Sequence, residues 1–288
     1  MKRIEIVHAT RYRFGSLVQL GPHSLLLRPR EGHDLHIVSS ALEISPEPVL
    51  TWRRDFYDNV LAVAEFPRVP ATELVIVSRV VAGLYDTMPL DFIVEDHAVY
   101  FPFDYRPEER TALAPYLEPV YPADGPFARW LGPYGQAAAG TETFAILDRM
   151  NRQIHEQFEY QVREEEGVLP PAEALRLGRG SCRDLATLFL EACRRLGIAA
   201  RFVSGYVHGP ATEVGGASTH AWAEVYLPGA GWKGFDPTNA AVVGPDHIPV
   251  AVHRDPQAIP PVSGTFTGPT GLLPEMQVDV QIAQLPAA

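Results

Sequence analysis

The chain has 288 residues, 46% of them hydrophobic and 20% charged, so it is too long for one small domain and fits one large or two modest ones with a sizeable core. A net charge of −11 speaks against a broad nucleic-acid footprint, and two cysteines do not make a disulfide framework. The start, MKRIEIVHATRYRF, lacks the apolar stretch of a secretory signal, and the most apolar run, LVIVSRVVAGL, is short and broken by Arg79. The expectation is a cytoplasmic protein without a membrane span.

Residues 1–85 read as β. RIEIVHATRYRF alternates, LHIVSSALEI alternates less cleanly, and VLTWRRDFYDNVLAVAEF gives two strands around an Asp58-Asn59 turn. TELVIVSRVVAG adds a strand rich in β-branched residues, and this spacing predicts a sandwich or barrel-like domain over 1–110. A proline-rich connector follows over 111–140. Its many aromatics, Tyr116 and Tyr121 among them, predict order and packing on both neighbours. Helical periodicity begins near 141, in TETFAILDRMNRQIHEQFEY and then PPAEALRL, whose prolines sit where a helix tolerates them. The acidic run Glu164–Glu166 reads as a solvated loop. IAARFVSGYV, HAWAEVYL and GWKGFDP read as strands of a domain over 141–255. An extension over 256–288 closes with a last strand, EMQVDVQIAQL. The fold class expected is α+β.

The stretch GRGSCRDLATLFLEACRRLG, 178–197, is an amphipathic helix with an unusual start. Ser181 is a good N-cap, and Asp184 resembles the acidic half of a capping box, which makes Cys182 the first helical residue. Free N–H groups and the positive end of the helix dipole favour a thiolate there, and the same N–H groups can bind a developing oxyanion. A buried structural thiol is the ordinary reading of a free cysteine, and Cys193, mid-helix on the apolar stripe, is read that way. A disulfide between the two conflicts with the helix, which would separate them by roughly 16 Å at about 1.5 Å per residue.

A nucleophilic thiol needs a base, and the base needs an orienter. In THAWAEVYLPGAGWKGFDPTN, His220 opens a strand and shares a face with Trp222, Glu224 and Tyr226. Asp236 ends the next strand before Pro237. An odd-length turn such as 228–230 would make His220 and Asp236 diagonal neighbours, and an even-length turn would separate them; the residues leave both registers open.

GRGSCRDLATLFLEACRRLGIAARFVSGY, THAWAEVYLPGAGW and GFDPTN, in this order, resemble the three blocks of the bacterial transglutaminase-like superfamily, a papain-like cysteine fold. The β-rich N-terminal region and DHIPVAVHRDPQAIPPVSGTFTG also resemble segments of its bacterial members. The resemblance implies Cys182 as nucleophile, His220 as its base and Asp236 as orienter. It implies a cysteine helix packed on an antiparallel sheet bearing His and Asp. Family oxyanion holes use a second donor, for which Tyr160 and Trp222 are candidates. Arg183 and Asp184 beside the thiol are candidate substrate contacts, against the plainer reading of Asp184 as a cap and Arg183 as a solvent-facing side chain. The segment from Phe158 to Arg163 departs from the Tyr-Asp-Pro-Gly-like pattern of many relatives, so substrate preference does not carry over.

The chemistry expected is cysteine-dependent acyl transfer on amide or peptide bonds, as a protease or amidase or as a transglutaminase. A peptide or protein substrate is expected, without nucleic acid, membrane, metal or organic cofactor. The alternative is a non-catalytic peptide- or protein-binding module on the same scaffold. Gly229–Gly234 matches G-x-G-x-x-G but enters a strand and not a helix, which excludes a dinucleotide loop. His33 and His36 lack a companion metal motif and read as a polar loop.

Overall fold

A computed structural model describes residues 2–85, 88–136, 140–163, 165–209 and 219–286. The chain opens with β1 (Lys2–Leu25), β2 (Leu35–Ser45), β3 (Val49–Arg54), β4 (Val60–Glu65) and β5 (Ala71–Leu84). Along β1, Ile4, Ile6, His8 and Thr10 alternate inward, as a half-buried strand requires. The strand runs well past the expected Arg3–Phe14. Gly15, at φ 63°, and a register break between Arg13 and Val18 let it bend and continue. The β3–β4 turn falls at the expected place. Asp58 takes φ 62°, and the Asp55 carboxylate accepts the N–H groups of Tyr57 and Asn59 at 2.9 Å each.

The proline-rich stretch is ordered. β6 (Tyr100–Phe101) is followed by α1 (Pro107–Leu117) and α2 (Gly125–Gly135), each with a proline in its first turn, and α2 buries Phe127 and Tyr134. β7 (Thr141–Glu142) pairs with β6 and leads into α3 (Thr143–Gln157). β8 (Glu159–Tyr160) lies parallel to β9 (Arg179–Gly180), with α4 (Pro171–Leu177) between them, and α5 (Cys182–Arg195) follows at once. Of the acidic run, Glu164 lies outside the described residues, and the Glu165 side chain is 75% exposed.

β10 (Ala200–Val207), β11 (Thr219–Leu227), β12 (Gly231–Asp236), β13 (Ala241–Val242) and β14 (His247–His253) form an antiparallel sheet in the order β13-β12-β11-β10-β14. α5 lays Leu185, Leu188, Phe189 and Ala192 on the face carrying Ala221, Ala223 and Val225, and Phe189 stacks on Phe235 with centroids 5.4 Å apart. The helix is further fastened by a fully buried ion pair, Glu191–Arg194, at 2.7 Å. Glu191 accepts the N–H groups of Val120 and Tyr121, and Arg194 donates to the Ala200 carbonyl, so neither charge is left uncompensated.

β15 (Val262–Thr267) and β16 (Glu275–Gln284) return to the first sheet, and both pair with β1. That sheet, with β2-β5-β1-β4-β3 as its main path, curls into a half-barrel. The architecture is therefore α+β: a curled β sheet followed by a cysteine helix on an antiparallel sheet. Among the described residues, no helix is long and apolar enough to cross a membrane.

Candidate active site

The turn between β11 and β12 is Pro228-Gly229-Ala230, with Leu227 opposite Gly231 and Glu224 opposite Gly234. This is the odd-length alternative. Gly229 and Gly231 supply the left-handed conformations it needs, at φ 81° and 74°. His220 and Asp236 consequently sit diagonally on one face, with His220 Nε2 2.8 Å from Asp236 Oδ2. The carboxylate can only accept, so Nε2 carries the proton and leaves Nδ1 for another partner. Cys182 lies close enough to the ring to help, after Asp236, keep the imidazole charged.

Cys182 is half-buried, and its first-turn position leaves nearby N–H groups without an intrahelical acceptor. Burial alone works against the His220 imidazolium. Hydrogen bonds to Asp236 and Cys182 outweigh it and push the group up to about 10. Asp236 has no exposed surface, which by itself would disfavour its charge. The hydrogen bonds from His220 and His247 nevertheless hold its carboxyl well below the usual range. Cys193 is fully enclosed in the core, and burial pushes its thiol upward.

Asp184 is also fully buried, and both its oxygens are occupied. Oδ2 accepts from Ser181 N and Oγ at 2.8 Å each, Oδ1 accepts from Leu169 N at 2.7 Å, and Arg163 donates to both. The expectation that Asp184 contacts substrate is thus corrected: it caps α5 and pins the 163–169 segment beside the thiol. Arg183 Nη2 donates to the carbonyls of Arg163 and Glu165, so it serves the same segment. Trp222 needs the same correction, because it is completely buried with Val203 and Val252 and offers no surface to a substrate. Tyr160 differs. It is 47% exposed, and burial of its ring, followed by the nearby Cys182 and Asp236, raises its phenol.

Two further polar partners went unread from the sequence. His247 Nε2 lies 3.2 Å from Asp236 Oδ2, and Asn239 Nδ2 donates to the same oxygen at 2.7 Å. Asn239 stands in the quoted GFDPTN block, where a polar residue three positions after a buried aspartate is a legible turn partner. No local signal marks His247. The 237–241 turn is held from α3, where His155 Nδ1 donates to Thr238 O at 2.7 Å and Asn151 Nδ2 to Ala241 O at 3.1 Å. These bonds retain Ala240 at φ 51°, an unfavourable conformation for alanine. Among the described residues, no group of three or more His, Cys, Asp or Glu is arranged to hold a metal ion.

A thiol at the start of a helix, packed on an antiparallel sheet that presents an imidazole–carboxylate pair, is the architecture of papain-like cysteine proteases. Residues 134–237 match the transglutaminase-like superfamily, and residues 4–82 match the bacterial transglutaminase-like N-terminal region. The chain belongs to the transglutaminase-like superfamily, with the bacterial N-terminal region in front of its core.

Its relatives include the uncharacterized protein Rv2569c of Mycobacterium tuberculosis, 28% identical over 305 residues and covering 96% of this chain and 92% of the relative. Another is ML0607 of Mycobacterium leprae, 26% identical over 295 residues and covering 99% and 100%. The crystal structure of a candidate cysteine protease from Cytophaga hutchinsonii matches with a TM-score of 0.74 at 17% identity, covering 100% of this chain and 92% of that one. At that identity the likeness is one of fold.

Proposed function

We propose that the protein is a cysteine-dependent acyl-transfer enzyme acting on amide or peptide bonds, with Cys182 as nucleophile, His220 as acid–base and Asp236 as orienter. The observation that carries this reading is the His220 imidazole, which bonds Asp236 through Nε2 at 2.8 Å and whose charged form Cys182 also favours. The Cys182 sulfur attacks the substrate carbonyl carbon, and the carbonyl oxygen becomes an oxyanion at the first-turn N–H groups of α5. Collapse of that intermediate breaks the C–N bond. The amine leaves with the proton supplied by His220, and the acyl group remains as a thioester on Cys182. Water then releases a carboxylic acid, or a second amine gives a new amide. Hydrolysis is the favoured outcome, and peptide or protein the substrate class. Tyr160, near enough to Cys182 to feel its charge, supplies an accessible wall beside the thiol.

Alkylation by iodoacetamide at pH 6 tests the proposal. Cys182 is expected to react well ahead of Cys193, and His220→Ala to abolish the preference. Sluggish labelling indifferent to His220 would overturn the enzyme and favour a binding scaffold. A mass shift on Cys182 after incubation with a peptide or amide library would identify the acyl donor.

A further inference from the structure

We infer that His247 is a positioning residue of this site, holding the Asp236 carboxylate in the orientation that aims Oδ2 at His220. This role rests on the proposed acyl-transfer chemistry. Asp236 Oδ2 accepts three hydrogen bonds, from His220 Nε2 at 2.8 Å, Asn239 Nδ2 at 2.7 Å and His247 Nε2 at 3.2 Å. Oδ1 accepts the N–H groups of Thr238 at 3.0 Å and Asn239 at 3.4 Å. Thr238 and Asn239 belong to the turn that Asp236 itself begins, so they move with it. Among the described residues, His247 is the one donor other than His220 that reaches the carboxylate from a separate element.

The His247 ring is fixed for this task. Its side chain is only 8% exposed. Nδ1 accepts the Gly244 N–H at 3.4 Å, which leaves Nε2 as the protonated nitrogen facing Asp236. The ring stands edge-on to Trp222, with centroids 5.3 Å apart and planes at 79°.

β14 is separated from β12 by β10 and β11, so the reach across the sheet needs special geometry. Two features provide it. Gly205 lies against Trp222 and the start of β14, and a Cβ there would come within 2.7 Å of Trp222 and 2.2 Å of the Ile248 carbonyl. The β10–β14 register also shifts between Ser204 and Gly205, leaving Val250 as an extra residue that re-aims the start of β14. An apolar side chain would fill the same volume against Trp222. The Nε2–H donor is what distinguishes histidine here.

The test compares His247→Leu, which keeps volume and loses the donor, with His247→Gln, whose amide nitrogen reaches the Nε2 position. At pH 6, H247L is expected to slow alkylation of Cys182 about tenfold, the factor one charge-assisted hydrogen bond is worth. H247Q is expected to restore the parental rate to within about threefold. The proton resonance of His220 Nε2–H is expected to move upfield in H247L and return in H247Q.

If H247L does not fold, H247N replaces it, since Asn reaches only the Nδ1 position. Equal rates and equal His220 resonances in the donor-keeping and donor-lacking variants would overturn the role, whether both match the parent or both fall. Failure of the acyl-transfer reading shows instead in the unmodified protein, as a Cys182 that is indifferent to His220→Ala. The resonance comparison still decides the place of His247 in that case.

Discussion

Cys182 and Cys193 are side chains of the same type on the same helix, and their surroundings separate them. One is half-buried beside an imidazole, whereas the other is sealed in the core with a raised thiol. His220 and Asp236 set opposite pH dependences. His220 titrates above its unfolded value of 6.5, so its contribution to stability is complete below pH 6.5 and disappears as pH rises towards about 10. Asp236 titrates below 3.8, so its contribution is present above that pH and is lost as acid protonates it. The Tm advantage of the protein over His220→Gln should therefore shrink steadily between pH 6.5 and pH 10, which a thermal scan series measures.

Asp184 is the second residue whose loss should be costly. Asp184→Ala leaves Arg163, which is 16% exposed, without its buried partner, and strips the acceptor from Ser181 N and Leu169 N. A loss of about 3 kcal/mol in urea unfolding is expected.

At the level of elements, β14 is the edge strand of the sheet that carries His220 and Asp236, and its open side is covered by the N-terminal region. Asn59 acts as a one-residue strand extension, accepting Val252 N–H at 2.8 Å and donating to Val252 O at 2.9 Å, while Arg30 N–H donates to Pro249 O at 2.8 Å. Asn59→Ala should cost about 2 kcal/mol through two lost bonds and the groups left unpaired. Hydrogen exchange at the Val252 amide should rise first, which mass spectrometry after digestion detects.

Much of this level was legible from local pattern. β-Branched residues over 72–83 marked β5, Ser181 and Asp184 marked the start of α5, and the Asp58-Asn59 pair marked its hairpin. The register of β11 and β12 could be read only as a choice, because it depends on the conformations of Gly229 and Gly231. His247 was invisible for a different reason. It reaches Asp236 across two intervening strands and past a bulge, and no periodicity within one segment encodes that meeting. The burial of Trp222 was hidden likewise, since its strand face is covered by Val203 and Val252 from other strands.

Across the whole molecule, the two sheets are joined by a buried polar contact. His8 of β1 lies with Nδ1 2.9 Å from the Tyr206 hydroxyl and Nε2 3.0 Å from Thr10 Oγ1. Burial lowers His8 to about 4, outweighing the attraction of Asp279. The unfolded chain takes up this proton from pH 6.5 downward and the folded one does so only near pH 4, so stability falls as pH drops through that window. The expected loss is about 3 kcal/mol, at about 1.4 kcal/mol per pH unit. Urea unfolding at stepped pH should show this slope in the parent and not in His8→Gln.

The same strand, β1, is flanked over Ile4–Arg13 by β5 on one side and by β16 on the other. A ribosome delivers β1 long before β16, with the whole of α5 and its sheet between them. The nascent polypeptide therefore displays its thiol helix and the sheet bearing His220 and Asp236 while a long ladder of amide and carbonyl groups still faces water. Aggregation of this protein should be most dangerous in that interval, and a chaperone that shields extended edges should help it most until β16 has emerged.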